Sequence, residues 1–598
     1  VRTISEALMV PLATSGNLTD CVVEAARTDP GRVSIRRKDA TGRWVDVTAK
    51  QFLDEVTGLA KGLVAAGVKP GDRVGLMSRT RYEWTLTDVA IWFAGAVTVP
   101  VYETSSAEQL AWILEDSAAV ACIVETTAHA GTVSSVRARL PQLRDVWTID
   151  SGSLEDLHAA GRDVLDSELE ERRRAVRPSD VATIIYTSGT TGRPKGCVLH
   201  HSHFLDLARN ADAAIAEITQ APGATTLLFL PLAHVFARFI QALCLTGRIT
   251  MGHTADIKDL VSDLETYRPT FILAVPRVFQ KVYNGAEQKA AAAGPLKAKI
   301  FAAAAATAIA HSQARDTGGP GPVLVAKHAL FDRLVYSKLR ARLGGRVTHA
   351  VSGGGPLGER LSHFFRGAGL IVLEGYGLTE TAAPLAVGRP DRIKIGTVGP
   401  PLPGVDVAIA EDGEILVRGL NVFAGYLNNP EATAEVFRDG WFTTGDLGEI
   451  DADGYLRITG RKKEIIITAA GKNVAPAPLE DHLRAHPLIS QAVVVGDDRP
   501  YVACLLSLDP EMLPVWGANN GKPGLDVATA RQDPEVLAEL QRAVDAANAT
   551  VSRAESIRRF GVLTDDLTEA NGMLTPSLKV KRGTVMAAHV DEVEALYS

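Results

Sequence analysis

Tyr186-Thr187-Ser188-Gly189-Thr190-Thr191-Gly192-Arg193-Pro194-Lys195-Gly196 follows the apolar run Val181 to Ile185, which reads as a buried strand. Glycines let backbone N–H groups turn toward an anion. The hydroxyls of Thr187, Ser188, Thr190 and Thr191 add donors, and Lys195 adds a mobile positive charge. A strand that opens into such a loop suits a polyphosphate. It is not the Gly-x4-Gly-Lys-Ser/Thr loop, because Pro194 stands before Lys195 and Gly196 follows it.

Upstream of the loop the text alternates. Arg73 to Met77 reads as a strand, Arg81 to Gly95 as a helix and Ala96 to Tyr102 as a strand. Ser105 with Glu108 then predicts a capping box, opening a helix to about Ser117, before a strand at Val120 to Val124. Strand–helix–strand with short connections predicts parallel βαβ units. Residues 1–50 read as an opening segment with short strands. Downstream, Leu227 to Leu230, Phe271 to Val275, Val347 to Val351 and Ile371 to Glu374 are further strand candidates. Arg277 to Arg346 reads as a long Ala-rich helical stretch, broken at Gly294-Pro295 and at Gly318 to Pro322.

After Gly396 the strands shorten and turn residues multiply, as in Glu411-Asp412-Gly413-Glu414 and Asp451-Ala452-Asp453-Gly454. This predicts a small antiparallel or barrel-like subdomain. A polar knot, Gly460-Arg461-Lys462-Lys463-Glu464, precedes a new α+β pattern with a hairpin at Gln491 to Leu508. The expected organisation is an α/β protein: a large domain over 1–462 and a smaller mobile cap over 463–598.

At 598 residues the chain can bury several cores. Its net charge of −7 gives no case for nucleic acid or a strongly anionic surface. Five scattered cysteines without C-x-x-C suggest a reducing, cytoplasmic setting and no metal cluster. Arg2 and Glu6 without a long apolar core argue against a signal peptide, and Leu227 to Leu245 is too interrupted to span a membrane.

Ser352-Gly353-Gly354-Gly355-Pro356-Leu357-Gly358 formally satisfies G-x-G-x-x-G, with Glu374 beyond it. Alone this would suggest a dinucleotide site, but the pattern is weak and a phosphate loop already exists upstream. Gly375-Tyr376-Gly377-Leu378-Thr379-Glu380-Thr381 combines an aromatic face that suits a base, hydroxyls that suit a phosphate and a carboxylate that is a hard Mg²⁺ ligand.

The order of the 186–196 loop and of this second segment resembles the adenylate-forming enzymes, the superfamily of acyl-CoA synthetases, luciferases and peptide-synthetase adenylation domains. The motifs run in the family's order from about residue 40 to 590 and most resemble bacterial long-chain fatty acid–CoA ligases. The resemblance implies roles. Thr187, Ser188, Gly189, Thr190, Thr191, Gly192 and Lys195 would hold the β- and γ-phosphates of ATP. Gly353, Gly354 and Gly355 would wall the adenine. In the segment containing Gly377, Tyr376 would stack on the base, Thr379 would bind the α-phosphate and Glu380 would hold Mg²⁺. Trp441 to Asp446 resembles the ribose segment, with Asp446 on the ribose hydroxyls and Arg461 reaching ribose or phosphates.

Lys463 matches the hinge of the mobile domain, with Lys462 its neighbour. Leu574 to Arg582 resembles the segment whose lysine enters the site. The match falls on Lys579, although Ser577-Leu578-Lys579 departs from the commoner Ser-Gly-Lys and leaves Lys581 as an alternative. Phe229 to Phe236 resembles the acyl-tunnel lining, with His234 near the carboxylate; a core histidine is the equal alternative.

The implied reaction joins a long-chain fatty acid to coenzyme A with ATP and Mg²⁺, through an acyl-adenylate. A fatty acyl-AMP ligase serving a carrier protein, an enzyme activating another acid at the same ATP site and a non-enzymatic nucleotide-binding protein are the alternatives. No nucleic acid is expected. Acyl-chain length, oligomer formation and peripheral membrane contact for the acyl substrate stay open.

Overall fold

The computed structural model describes residues 2–187, 193–575 and 578–598. Its central sheet has seven strands in the order Gly425–Tyr426, Lys195–His200, Val181–Thr187, Val97–Val101, Arg73–Met77, Ala121–Val124, Asp145–Thr148. The last five are parallel, whereas Lys195–His200 runs antiparallel to Val181–Thr187. The two strands that flank residues 188–192 are thus an antiparallel pair at one side of a parallel sheet. Helix Tyr82–Phe93 is buried on nearly every face, which explains its apolar text. Its one buried charge, Asp88, meets Arg238 at 3.0 Å, and Arg238 lies over the rings of Trp84 and Trp92. A buried charge needs such a partner.

The helix after Val97–Val101 begins one residue later than Ser105 and Glu108 predict. Ser106 is the cap: its side chain accepts from Gln109 N–H and its own N–H donates to Gln109 Oε1. Glutamine serves as well as glutamate at that position, and Ser105 is instead turned inward. The opening segment also carries a helix, Thr19–Thr28, that short-strand spacing did not suggest.

Two four-stranded sheets complete the large unit. One orders Thr225–Leu228, Thr250–His253, Val33–Lys38, Trp44–Thr48; the other orders Phe271–Ala274, His349–Ser352, Ile371–Leu378, Ala383–Val387. Each is parallel with one antiparallel edge strand. The crossover between Phe271–Ala274 and His349–Ser352 contains helices Pro276–Ala292, Pro295–Asp316, Pro322–Phe331 and Ser337–Arg342. Tyr283, Phe301 and Phe364 pack in its core. A Cβ on Gly367 would lie 2.1 Å from the Ala308 carbonyl oxygen, so glycine permits this close helix approach.

Residues after Gly396 form the antiparallel alternative: a six-stranded sheet with Arg2–Ser5 at one edge and the long strand Trp441–Ile450 pairing Leu456–Arg461. Beyond Lys463, strands Ile489–Val495, Val502–Leu508 and Ile557–Val562 carry helices on a separate core. This cap touches the large unit through Arg277–Asp509 at 2.5 Å, Lys281–Glu511 at 2.9 Å and Asn519–Gln288 at 3.0 Å. No helix among the described residues is long and apolar enough to cross a membrane.

Candidate active site

Ser188, Gly189, Thr190, Thr191 and Gly192 lie outside the described residues, but the strands on either side of them are described. Thr187 pairs with Lys195 in register. Lys195 Nζ sits 5.0 Å from the centre of the Tyr426 ring. The Tyr426 hydroxyl donates to Glu380 Oε1 at 2.8 Å. Burial, then the Glu380 charge, pushes that phenol well up, so it remains a donor at neutral pH. Lys195 and Glu380 therefore share one aromatic partner. Arg193 stacks on Trp112 at 4.7 Å, and the Trp112 indole N–H donates to the Pro194 carbonyl at 2.9 Å. These contacts anchor the chain where it enters the strand Lys195–His200.

Tyr376 extends along the strand Ile371–Leu378, and Thr379 and Glu380 occupy the 3₁₀ turn Thr379–Thr381 that follows. The Tyr376 phenol donates to Asp446 Oδ2 at 2.6 Å. Burial, then Asp446, raises its pKa well above the ordinary phenol range. Asp446 Oδ1 also meets Arg461 Nε at 3.1 Å, because Asp446 and Arg461 are register partners across the hairpin. Burial works against the Arg461 charge, but Asp446 and Glu464 outweigh it and raise its pKa.

Gly377 has a local reason as well as a family one. A Cβ there would fall 1.9 Å from the Ala383 carbonyl oxygen, at the bulge where the register shifts after Tyr376. Gly353, Gly354 and Gly355 follow the strand His349–Ser352. Gly353 lies under the Phe236 ring, Gly354 has φ +82°, and Gly354 and Gly355 are exposed. The Glu374 carboxylate takes Leu357 N–H at 3.0 Å and Ser362 Oγ at 3.4 Å, which ties it to the turn that follows the glycines.

His234 caps the helix Val235–Gly247, its Nδ1 accepting from Phe236 N–H at 3.2 Å. Burial, then the charge of Lys579, pulls it down to about 4, so the imidazole is neutral at pH 7. Lys579 is lowered by burial and by Arg461, against Asp446, Glu380 and Glu464, which pull upward. Lys579 nonetheless presents surface to solvent. Its backbone is held by Thr575: Lys579 N–H donates to Thr575 Oγ1 at 3.1 Å, and Thr575 N–H to the Lys579 carbonyl at 2.8 Å. Lys581, the alternative, caps helix Arg582–Ala588 and donates its N–H to Met573 O.

Lys462 is not a merely solvated charge. It bridges Asp412 at 2.6 Å and Glu414 at 3.1 Å on the large unit, and Glu414 also receives Gly445 N–H beside Asp446. Lys463 is exposed in the 3₁₀ turn Lys462–Glu464.

Sequence reasoning did not find Tyr426 or Glu464. Tyr426 lies in a two-residue edge strand with no periodicity to mark it. The only available cue was the hydrophobic step before Asn428-Asn429-Pro430.

Lys195 and Glu380 on the Tyr426 ring, the Tyr376–Asp446–Arg461 group and Lys579 thus face one region of the fold. The chain belongs to the AMP-binding enzyme family, which matches residues 22–427, and the AMP-binding enzyme C-terminal domain matches residues 463–598. It is 52% identical to the long-chain-fatty-acid–CoA ligase FadD15 of Mycobacterium bovis, and 51% identical to that of Mycobacterium tuberculosis, over 100% of each chain. A crystal structure of the anthranilate CoA ligase AuaEII with anthranoyl-AMP superposes with a TM-score of 0.73, covering 96% of this chain and 98% of that one at 19% identity.

Proposed function

We propose that this chain is an AMP-forming long-chain fatty acid–CoA ligase. The observation that carries this reading is the 52% identity, over the whole of both chains, to a protein named for that activity. A carboxylate is a poor electrophile because its leaving group would be oxide. Its attack on the α-phosphate of ATP makes an acyl-adenylate and pyrophosphate, and AMP then leaves readily when the CoA thiol attacks the acyl carbon. The first step is a displacement at phosphorus, in which positioning and charge neutralisation do most of the catalysis.

Each residue then has a task. Lys195 and residues 187–192 hold the β- and γ-phosphates. Tyr376 and the Gly353–Gly355 turn hold the adenine, Asp446 accepts from the ribose, and Thr379 and Arg461 bind near the α-phosphate. Lys579 offsets charge that develops between the carboxylate and the α-phosphate. Neutral His234 stands at the carboxylate end of the acyl site without adding a second positive charge. The cap, residues 463–598, turns about Lys463 to withdraw Lys579 and admit the thiol.

Glu380 fits Mg²⁺. It is a single carboxylate, and no cluster of three or more ligating side chains occurs among the described residues. Mg²⁺ is commonly held by one or two carboxylates with waters and substrate phosphates. Bound there, it would supply Lewis-acid neutralisation of phosphate charge.

The test is AMP release across acids from acetate to a twenty-carbon chain, with and without CoA. CoA-dependent release that is greatest with long chains is expected. Release of pyrophosphate without CoA consumption would instead favour an acyl-AMP ligase.

A further inference from the structure

We propose that Tyr426 is a positioning residue of the nucleotide site: it holds the Glu380 carboxylate for Mg²⁺ and keeps it apart from the Lys195 ammonium. This rests on the roles proposed above for Glu380 and Lys195. Tyr426 meets both. Its hydroxyl donates to Glu380 Oε1 at 2.8 Å, and Lys195 Nζ lies 5.0 Å from the centre of its ring.

The place of Tyr426 is itself fixed by the main chain. It is the register partner of Cys197 in the strand Lys195–His200. Its N–H donates to Thr433 Oγ1 at 2.9 Å, and the next N–H, of Leu427, donates to the Gly196 carbonyl at 2.8 Å. The ring packs edge-on against Phe423 at 4.9 Å, and Phe423 packs against Phe442. Phe423 N–H also donates to the Glu380 carbonyl at 2.8 Å. The segment from Phe423 to Tyr426 therefore grips Glu380 twice, once by main chain and once by side chain.

A carboxylate and an ammonium at one site attract each other, and a pair they formed would have to break before either met a metal or a phosphate. Here the cation sits on the ring face and the anion on the hydroxyl, so each has a partner other than its opposite charge. A phenol donates one hydrogen. Bound to Oε1, it leaves Oε2 for a hard cation. The ring face attracts an ammonium without a directed bond, which lets Lys195 turn to a phosphate. A tyrosine with only a packing role would need the ring and not the hydroxyl, and that difference is testable.

The test is the melting temperature of the full chain with ATP, at a series of Mg²⁺ concentrations and with no acid present, since a ligand of the folded state raises it. Tyr426→Phe should melt like the wild type without ligand and keep the shift that ATP alone produces. The Mg²⁺ concentration giving half of the additional shift should rise about tenfold, the scale for losing a hydrogen bond to a charged group. In pyrophosphate exchange this variant should keep its KM for ATP at saturating Mg²⁺. Tyr426→Leu, which also removes the ring, should raise that KM about fivefold. A Tyr426→Phe protein with the Mg²⁺ requirement of the wild type would overturn the proposal. So would one whose ligand-free melting and whose responses to ATP and to Mg²⁺ all fall together. Mg²⁺-dependent ATP binding without AMP release from any fatty acid would sink the proposed function and leave the role of Tyr426 intact.

Discussion

The Tyr376 phenol and Asp446 are joined by a 2.6 Å hydrogen bond across two different sheets. Arg461 takes the other carboxylate oxygen of Asp446. The residues proposed as base platform and ribose acceptor, seventy positions apart, are thus joined directly. A carboxylate has about four acceptor sites, so Asp446 can hold both partners and still receive a ribose hydroxyl.

Tyr376→Phe keeps the ring and removes this bond. Hydrogen bonds to charged groups contribute about 1.5–3 kcal/mol, so the KM for ATP should rise about tenfold while kcat changes much less. Pyrophosphate exchange measures both. An unchanged KM would show that the Tyr376–Asp446 link does not position nucleotide.

Lys579→Ala should slow acyl-adenylate formation by about 10²-fold or more, the scale for losing one donor to transition-state charge. Thioester formation from supplied acyl-AMP should be largely spared. Lys581→Ala should leave both steps close to wild type. Equal failure of both half-reactions in a folded Lys579→Ala protein would remove Lys579 from the first step.

Leu578, immediately before Lys579, has φ +61° and is 57% exposed. The left-handed region costs a non-glycine residue about 1–2 kcal/mol, and little burial offsets it here. The family's commoner glycine at this position adopts that conformation freely. Leu578→Gly should therefore keep adenylation within about threefold, whereas β-branched Leu578→Val, which resists this region, should cut it about tenfold. Comparable rates in the two variants would mean that the Leu578 backbone does not aim Lys579.

His253 is buried, with Nε2 2.9 Å from Thr85 Oγ1. Burial pulls it down to about 4, with Glu83 pulling the other way. Between about pH 6.5 and 4 the unfolded chain binds the proton and the folded one does not. The histidine's contribution is therefore complete above pH 6.5 and lost as the pH falls, by about 1.4 kcal/mol per unit. Wild-type melting temperature should fall faster on acidification than that of His253→Gln. Parallel curves would contradict the neutral, buried assignment.

Much of the fold was legible because local pattern and tertiary use agree. Arg73–Met77 is a strand with the bounds its apolar text suggests, and the breaks at Gly294-Pro295 and Gly318 to Pro322 separate helices as expected. Where they disagree, packing decides. Ser105 and Ser106 both offer a cap, and the inward turn of Ser105 leaves the role to Ser106. Glu374 stood at the right distance for a ribose, yet its bonds to Leu357 and Ser362 engage it in the turn.

Residue order alone carried the phosphate-loop motif, the Tyr376–Glu380 segment and the C-terminal lysine, since each places its chemistry within a few adjacent residues of a strand or turn. Chain folding alone placed the Tyr426 phenol on Glu380 and closed Asp446 between Tyr376 and Arg461. The Tyr426–Glu380 and Tyr376–Asp446 relations join positions tens of residues apart on different sheets, and side chains meet at that separation only through the packing of whole sheets.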